Sequence, residues 1–236
     1  MAVVVVSGTG TEIGKTVVTA AVAAAAAGGG RRVAVLKPAQ TGVAPGEPGD
    51  ADEVVRLSGA ALGTELARFP EPLAPATAAR RAGMAPVRPA DVADAAGKLA
   101  AGHDLVLVEG AGGLLVRLDE EGTLADAARL LDAPVLVVTT AGLGTLNATE
   151  LTVEALRARG ITPLGLVIGS WPEAPGLAER CNVADLPAVT GVPLLGAVPA
   201  RAGALDAADF RARAGSWLAP ELGGSWDAAA FAEAVR

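Results

Sequence analysis

The amino-acid sequence predicts an α/β fold, in which a mostly parallel β-sheet is flanked by helices on both faces. Two observations support this fold. Short runs of β-branched and aliphatic residues alternate with longer, alanine-rich segments along the chain, which is the order expected of strand–helix units. The short runs are continuously apolar rather than alternating, a pattern typical of parallel strands that are covered on both faces.

The same pattern assigns six strands and four helices in chain order. Continuous aliphatic runs predict strands over residues 3–6, 33–36, 105–108, 135–139, 164–168 and 194–198. The segments between them predict helices over residues 15–27, 50–57, 91–101 and 147–159. Gly28 and Gly160 suit helix C-termini, and Asn147 suits a helix N-cap.

A single domain is expected over residues 1–236, because no repeat or linker interrupts the chain and its length suits one continuous core. The proline-rich stretch 70–89 could be mistaken for a linker. Four apolar residues accompany it, namely Phe69, Leu73, Met84 and Val87. They predict an ordered loop packed on the body. We expect residues 2–200 to form the core and residues 201–236 a peripheral helical tail.

Composition excludes several classes of function. The chain has one histidine, His103, one cysteine, Cys181, no tyrosine and only 3% aromatic residues. One Cys and one His cannot form an intramolecular disulfide or an ordinary structural zinc site. So few aromatic residues and a net charge of −7 argue against a nucleic-acid-binding surface. The chemistry therefore falls to lysines, carboxylates, hydroxyls and backbone amides.

No feature of the sequence predicts export or membrane insertion. The N-terminus lacks the basic start and small-residue cleavage site of a secretory signal. The mean hydropathy is high, at +0.43, but the longest weakly polar stretch, residues 17–30, is too short to cross a bilayer. We therefore expect a soluble, cytoplasmic protein.

A glycine-rich loop over residues 7–16, between the first predicted strand and the first predicted helix, is the strongest local signal. Its glycines are Gly8, Gly10 and Gly14. Such a loop and the helix N-terminus after it let backbone N–H groups cradle a polyphosphate. Lys15 is expected to reach the β- and γ-phosphates, and the Thr16 hydroxyl to bind Mg²⁺. The loop is one residue longer than the usual pattern, which has glycine where this chain has Thr9. The predicted fold is accordingly P-loop NTPase-like.

Charged residues stand at two further strand ends. Glu109 follows the strand at 105–108 and precedes a glycine-rich turn, and Lys37 follows the strand at 33–36. Ligands of open α/β sheets bind at the carboxyl ends of the strands. Glu109 is therefore placed to bind Mg²⁺ or a substrate amine, and Lys37 to hold an anionic group. The acids at 50–53 either complement a helix dipole or supply one more metal ligand.

The motifs in this sequence closely resemble those of the dethiobiotin synthetase family. They are the loop at 8–16, the segments 37–42, 108–113 and 143–147, and residues 193–199 at the family's usual place. The resemblance covers residues 2–200. Several motifs in order at matching spacing make it more specific than a phosphate loop alone.

The resemblance implies an ATP- and Mg²⁺-dependent cyclo-ligase of biotin biosynthesis that acts as a cytoplasmic homodimer. The family joins CO₂ to 7,8-diaminopelargonic acid. One amine forms a carbamate, the γ-phosphate converts the carbamate to a carbamic-phosphoric anhydride, and the second amine closes the ureido ring. Dethiobiotin, ADP and phosphate are the products.

The resemblance also implies roles for matched positions. Lys15, Lys37 and Thr11 would be catalytic. Thr16, Asp50 and Glu109 would bind Mg²⁺. Asp50 is preferred over Asp52 because the family's acid precedes an arginine by six residues. The nucleotide would contact Gly8, Thr9, Gly10, Thr11, Glu12, Ile13, Gly14, Lys15, Thr16, Val17, Gly169, Ser170, Val198, Pro199 and Ala200. The diamine would contact Lys37, Thr41, Pro72, Leu73, Gly112, Gly113 and Leu114, and its carboxylate tail Gly144, Thr145, Leu146 and Asn147 of the partner subunit.

Two departures from the family pattern bear on function. Many members carry Asp at the position of Gly10. The family often has an Asn-Asp-like pair, whose amide reads adenine, where this chain has Gly169 and Ser170. Neither residue offers the paired donor and acceptor of an amide. We therefore expect relaxed triphosphate preference, with CTP or GTP partly replacing ATP. Trp171, the next residue, packs either near the base or in the core.

A dimeric ATPase switch of the partition or iron-protein type is the main alternative. Such proteins carry a second, signature lysine in the loop, five residues before the lysine that corresponds to Lys15. This chain has Gly10 at that position. The iron-protein branch also needs bridging cysteines, and Cys181 stands alone and far from the loop. The motifs therefore favour the ligase.

Overall fold

A parallel β-sheet forms the centre of the chain in a computed structural model, which describes residues 3–60 and 62–235. Its strands are β1 (Val3–Gly8), β2 (Val33–Thr41), β3 (Leu62–Phe69), β4 (Leu105–Glu109), β5 (Val135–Thr139), β6 (Pro163–Trp171) and β7 (Leu194–Pro199). Their order across the sheet is β3-β2-β4-β1-β5-β6-β7, and every neighbouring pair is parallel. The predicted sheet is confirmed.

Helices connect the strands and cover the sheet. They are α1 (Lys15–Gly28), α2 (Asp50–Ser58), α3 (Pro75–Ala82), α4 (Pro89–Ala100), α5 (Leu124–Leu130), α6 (Thr145–Arg157), α7 (Leu177–Thr190), α8 (Ala207–Ala214) and α9 (Ala228–Ala234). Every residue of β4 and β5 is buried. Since successive side chains of a strand point to opposite faces, both faces of the sheet are covered. None of the described helices is long and apolar enough to cross a membrane.

The core consists almost entirely of alanine and aliphatic side chains. In α1 the buried residues include a continuous run from Val18 to Ala24, and alanine lets this helix lie close to the sheet. Three aromatic residues of the tail, Phe210, Trp217 and Trp226, also join the core. The backbone of Gly196 in β7 forms an antiparallel bridge with Leu218. The tail is helical, as predicted, but it is less peripheral than expected.

Several sequence expectations about individual elements are wrong. The stretch 70–89 is not a loop, because it contains α3 and its last residue begins α4. Pro75 and Pro89 stand in the first turn of their helices, where a missing N–H group costs nothing. Leu73 and Met84 are exposed rather than packed on the body.

The start of α6 also differs from the prediction. Asn147 is not an N-cap, because α6 begins at Thr145 after Gly144. Gly144 adopts a left-handed conformation with φ 88°, which glycine adopts at little steric cost. The structure adds one strand, β3, and two helices, α5 and α7, that the sequence pattern did not predict.

The order of the central strands sets the position of the functional residues. Val6 of β1 pairs with Glu109 of β4, and Leu36 of β2 pairs with Val108. β2 continues past this pair to Thr41, so Lys37 lies within the strand, and the prediction that it follows the strand is wrong. Lys37 is level with the carboxyl end of β4, which lies beside that of β1. Lys37, Glu109 and the glycine-rich loop meet at this edge of the sheet.

Candidate functional site

The glycine-rich loop joins the end of β1 to the start of α1, and close contacts fix its shape. Gly14 adopts φ 92°, and a Cβ atom there would lie 2.4 Å from the carbonyl oxygen of Gly169. Glu12 also has a left-handed backbone, with φ 57°. The first turn of α1 has neither a side-chain cap nor an acidic residue. Its backbone N–H groups are therefore not capped by side chains, as an anion site at a helix N-terminus requires.

Lys15, the first residue of α1, folds back over the loop. Its Nζ donates a hydrogen bond to the carbonyl oxygen of Gly10 at 2.6 Å. Burial lowers the pKa of Lys15 below its ordinary value, and repulsion by Lys37 adds to this effect. Attraction by Glu109 and Asp50 opposes it in part. A lysine held this way gains from a nearby polyphosphate, whose charge favours the ammonium form.

Lys37 lies between two carboxylates, in the middle of β2. Its Nζ is 2.5 Å from Oδ2 of Asp50 and 2.8 Å from Oε1 of Glu109, and it donates to the carbonyl oxygen of Gly110 at 3.2 Å. Lys37 is 4% exposed and Glu109 only 1%. Burial alone would lower the pKa of Lys37, but attraction by Glu109 and Asp50 outweighs it, so the pKa is raised. The side chain is therefore an ammonium ion at neutral pH.

Three side-chain oxygens around this centre are suitable ligands for a metal ion. The Thr16 hydroxyl donates to Oε1 of Glu109 at 2.9 Å, and Asp50 reaches the same centre through Lys37. The second oxygen of Glu109, Oε2, is buried without a hydrogen-bond partner. A buried carboxylate oxygen without a hydrogen-bond partner is unsatisfied, and a bound cation would satisfy it.

The donor set fits Mg²⁺ bound together with a substrate. Mg²⁺ takes one or two carboxylates and completes its shell with water and phosphate oxygens. Among the described residues no three His, Cys, Asp or Glu side chains gather as a protein-only metal site. Asp50 rather than Asp52 contacts Lys37, since Asp52 accepts a hydrogen bond from the Gly49 N–H at 2.9 Å instead.

A cleft of about 750 Å³ opens over this centre. Thirteen of the predicted site residues are among those that line it, namely Thr11, Glu12, Gly14, Lys15, Thr16, Val17, Lys37, Thr41, Asp50, Pro72, Leu73, Glu109 and Gly112. The lining also includes residues to which the sequence analysis assigned no role, among them Gln40, Val43 and Val116. Gln40 Oε1 accepts a hydrogen bond from the Asp50 N–H at 2.8 Å, which joins β2 to the start of α2. The sequence feature that could have identified Gln40 as a site residue is its position in the motif at 37–42.

Other predicted substrate residues lie outside the lining of this cleft. Leu114 is buried in the core. Gly113 packs behind the glycine-rich loop, where a Cβ atom would be 3.4 Å from the carbonyl oxygen of Gly8. The segment 144–147 forms the start of α6. The Thr145 hydroxyl there is buried and donates to the carbonyl oxygen of Thr140 at 2.7 Å, so it is already engaged within its own chain.

The two segments predicted to bind the base lie next to each other. The Ala200 N–H donates to the carbonyl oxygen of Trp171 at 2.7 Å, which joins the end of β7 to the end of β6. Gly169 of β6 packs directly on the glycine-rich loop, since a Cβ atom there would be 2.0 Å from the carbonyl oxygen of Ile13. Trp171 makes an edge-to-face contact with Phe231 of α9, at 5.1 Å between ring centroids.

Comparison with known folds agrees with this architecture. A family model described as an AAA domain matches residues 2–206. The MinC:MinD cell division complex of Aquifex aeolicus has a TM-score of 0.57 at 13% identity, covering 91% of this chain and 86% of that one. Chloroplast FtsY of Physcomitrella patens has a TM-score of 0.57 at 20% identity, covering 99% of this chain and 65% of that one. At these identities the likeness shows the fold alone.

Curated relatives are far more similar in sequence. The ATP-dependent dethiobiotin synthetase of Streptomyces avermitilis is 71% identical over 99% of both chains. That of Streptomyces coelicolor is 71% identical over 99% of this chain and 98% of its own. That of Saccharopolyspora erythraea is 67% identical over 96% and 99%. With such identity over nearly the whole length, the chain belongs to the ATP-dependent dethiobiotin synthetase family.

Proposed function

We propose that this protein closes the ureido ring of dethiobiotin from 7,8-diaminopelargonic acid, CO₂ and ATP. The observation that carries the proposal is Lys37, an ammonium ion held between Asp50 and Glu109 beside the glycine-rich loop. This arrangement supplies positive charge where a carbamate oxygen attacks the γ-phosphate. It needs no histidine base, since a carbamate oxygen is already a nucleophile.

Lys15, Lys37 and the loop amides stabilise the charge that develops during phosphoryl transfer. In this reaction class the protein positions the reactants and neutralises charge. The N–H groups of the first turn of α1 and Lys15 hold the β- and γ-phosphates. Lys37 holds the carbamate against the γ-phosphate, and Thr11 and Thr41 assist from the walls of the cleft, which both residues line.

Thr16, Asp50 and Glu109 are the residues that would hold Mg²⁺. When bound, the ion neutralises the charge on the phosphate oxygens and orients them. The carboxylates of Asp50 and Glu109 have a second task, since they also fix the Nζ of Lys37 at 2.5 and 2.8 Å.

We also propose that a homodimer completes the site. The diamine occupies the cleft beneath Pro72 and Leu73, and its carboxylate tail reaches the start of α6 of the partner subunit. Leu143, just before that helix, is 92% exposed, and Leu151 on the same helix is 57% exposed. Apolar side chains so exposed mark an interaction surface when they cluster.

The family's cytoplasmic location is extended to this protein as part of the proposal. Cys181 is a free, exposed thiol, which suits a reducing compartment.

The choice of triphosphate is proposed to be relaxed. A side chain at position 169 would collide with the carbonyl oxygen of Ile13, so an amide cannot be accommodated there without displacing the loop. The base would then be recognised mainly by backbone groups of residues 169–170 and 198–200. Such groups discriminate less sharply between bases than a side-chain amide that pairs with adenine.

Product formation tests both parts of the proposal. The protein is incubated with 7,8-diaminopelargonic acid, bicarbonate, Mg²⁺ and each of the four nucleoside triphosphates, and dethiobiotin is measured by mass. We expect product with ATP and measurable rates with CTP or GTP. No product with any triphosphate would contradict the activity. Product with ATP alone would contradict only the relaxed preference.

A further inference from the structure

Arg201 adopts a backbone conformation that non-glycine residues rarely take. Its φ is 64° and its ψ is 9°. Within residues 3–60 and 62–235, only Glu12 and Asp132 share a positive φ among residues other than glycine. Such conformations are strained, persist only where the surroundings enforce them, and concentrate at ligand sites. Glu12 belongs to the glycine-rich loop, and Arg201 directly follows residues 198–200, which are predicted to contact the nucleotide.

Contacts on both sides hold the Arg201 backbone in place. Before it, the Ala200 N–H is bound to the carbonyl oxygen of Trp171 at 2.7 Å. After it, the 3₁₀ turn Ala202–Ala204 packs on α1, since a Cβ atom on Gly203 would lie 3.1 Å from Cγ2 of Val17. Val17 lines the cleft.

The turn is also tied to α2. The Arg56 guanidinium, Nη2, donates to the carbonyl oxygen of Gly203 at 3.2 Å. Arg201 therefore lies between two anchored points, the end of β7 and the first turn of α1. The strained backbone directly follows residues 198–200, which are predicted to contact the base, and it is tied to Val17 of the cleft through the turn after it.

The side chain of Arg201 has no partner in the described part of the protein. It is exposed, and no hydrogen bond or salt bridge to its guanidinium is found among residues 3–60 and 62–235. A guanidinium offers five N–H donors in a planar fork. The neighbouring base segment, Gly169 and Ser170, lacks any side-chain amide to read a base edge.

We propose that the Arg201 guanidinium binds the nucleobase of the bound triphosphate, by donating hydrogen bonds to acceptor atoms on the base edge. The inference rests on the proposed nucleotide site and deepens it, because it assigns base recognition to a side chain of this chain. The phosphates have their own donors in Lys15 and the first turn of α1. Arg201 thereby adds affinity for the nucleoside half to the contacts of the backbone groups. Since a guanidinium can donate to acceptor atoms of any of the four bases, this contact is compatible with the relaxed triphosphate preference.

Direct binding distinguishes this role from a general attraction for anions. Isothermal titration with ATP and, separately, with inorganic tripolyphosphate is carried out on the wild type and on Arg201→Ala, Arg201→Gly and Arg201→Lys. Loss of a charged donor to the base predicts a rise in the Kd for ATP of about 10-fold in the Ala and Gly variants. The Kd for tripolyphosphate should not change. Lys, which lacks the planar fork, should recover only part of the affinity.

Thermal unfolding supplies an independent readout of the strain. Arg201→Gly relieves the left-handed backbone, whereas Arg201→Ala keeps it, so the Gly variant should melt about 2–4 °C higher than the Ala variant. Asp132→Gly is the matched control, since Asp132 has φ 47° and follows α5, outside the lining of the cleft. It should leave both Kd values unchanged.

Three results would overturn the inference. They are equal losses of affinity for ATP and tripolyphosphate, unchanged affinity for ATP in the Ala and Gly variants, and wild type that binds ATP no more tightly than tripolyphosphate. These outcomes are separate from the failure of the proposed activity. Wild type that binds ATP but forms no dethiobiotin would contradict the ring closure and leave the binding comparison intact.

Discussion

Lys37 is the residue on which the proposed chemistry depends most. Its ammonium group is buried, and two carboxylates hold it beside the carboxyl end of β4. Burying a charge is costly unless it is paired and hydrogen-bonded. The protein meets that cost with three acceptors, Asp50, Glu109 and the carbonyl oxygen of Gly110. The result is a fixed positive charge in a cleft beside the glycine-rich loop.

Removing this charge should abolish most of the activity. We expect Lys37→Ala to lower kcat/KM by at least ~100-fold, the scale of one lost contact to a developing negative charge. Steady-state rates of phosphate release measure the effect. Calorimetry should show that the variant still binds ATP, since the phosphates retain Lys15 and the loop amides.

Lys98→Ala is the control for this substitution, because Lys98 is exposed on α4. It should leave kcat/KM unchanged. Near-normal turnover by Lys37→Ala, with folding verified by circular dichroism, would rule out the role given to Lys37.

Gly169 is a second residue whose identity is dictated by its surroundings. Because β6 lies against the glycine-rich loop, the smallest side chain at 169 would meet the carbonyl oxygen of Ile13 at 2.0 Å and Cγ1 of Val138 at 2.7 Å. Because one of these contacts is to the backbone of Ile13, the neighbour cannot move aside by a change of side-chain rotamer. The glycine-rich loop and the end of β6 around Gly169 are therefore packed together as one unit.

Substitution at this position should affect stability and nucleotide binding together. We expect Gly169→Ala to lower the free energy of unfolding by about 1–3 kcal/mol, as overpacking does, and to weaken ATP binding because the loop must shift. Denaturant unfolding and calorimetry measure the two effects.

The matched control is Gly97→Ala in α4, where no heavy atom lies within 4 Å of the added Cβ. It should raise the free energy of unfolding by about 0.5–1 kcal/mol. Equal stability of Gly169→Ala and the wild type would show that the contact does not constrain the loop.

At the scale of elements, an ion pair joins the starts of two neighbouring strands. Asp104, just before β4, accepts hydrogen bonds from Arg32, just before β2, through its backbone N–H at 2.8 Å and its guanidinium at 3.1 and 3.2 Å. The Arg32 guanidinium and N–H lower the pKa of Asp104 from 3.8 to about 2. This contact fixes the register at the opposite end from the site.

The lowered pKa predicts a pH dependence with a definite sign. The folded form binds this proton less readily than the unfolded form, so the pair stabilises the fold above pH 3.8 and its contribution is lost as the pH falls through about 2. In Arg32→Ala the pKa should rise but stay below 3.8, because the backbone N–H remains. NMR titration of the Asp104 carboxyl group measures it.

Arg80→Ala, at an exposed position on α3, is the control and should leave the pKa of Asp104 unchanged. A pKa that stays at about 2 in Arg32→Ala would mean that the guanidinium does not hold the carboxylate in solution.

Elements with a continuous apolar pattern could be predicted from the sequence, and those shaped by their position could not. β3 lies at the edge of the sheet, and most of its residues are partly exposed, so polar residues interrupt its pattern. The pattern of α7 is also interrupted, because Pro187 lies within the helix. α3 was missed because the prolines in and around it were interpreted as a loop, although Pro75 stands in its first turn.

The site shows the same division. Lys15, Thr16, Lys37 and Glu109 follow from motifs at strand ends, because the ends of parallel strands meet at one edge of the sheet. Gln40 and Arg201 could not be assigned roles in this way. Gln40 is tied to the site by its bond to the backbone of Asp50. The role proposed for Arg201 rests on a backbone conformation that no local sequence pattern predicts.

For the whole molecule, charge and architecture work in opposite directions. The net charge of −7 repels anionic substrates at long range. Within the cleft, Lys15 and the N-terminus of α1 place positive charge at the glycine-rich loop. The carboxylates of Asp50 and Glu109 balance the charge of Lys37 beside them. The sheet order β2-β4-β1 is what concentrates these groups at one edge.

The central claim is that the γ-phosphate is transferred to a carbamate oxygen before the ring closes. Isotope transfer from ¹⁸O-labelled CO₂ into the released phosphate tests it most directly. The carbamate takes both oxygens from CO₂. The oxygen that bonds to phosphorus leaves with phosphate when the second amine attacks the carbonyl carbon. We predict one ¹⁸O in each phosphate released, at the enrichment of the CO₂ pool, with the other oxygen retained in dethiobiotin. Dethiobiotin formed together with unlabelled phosphate would contradict the claim.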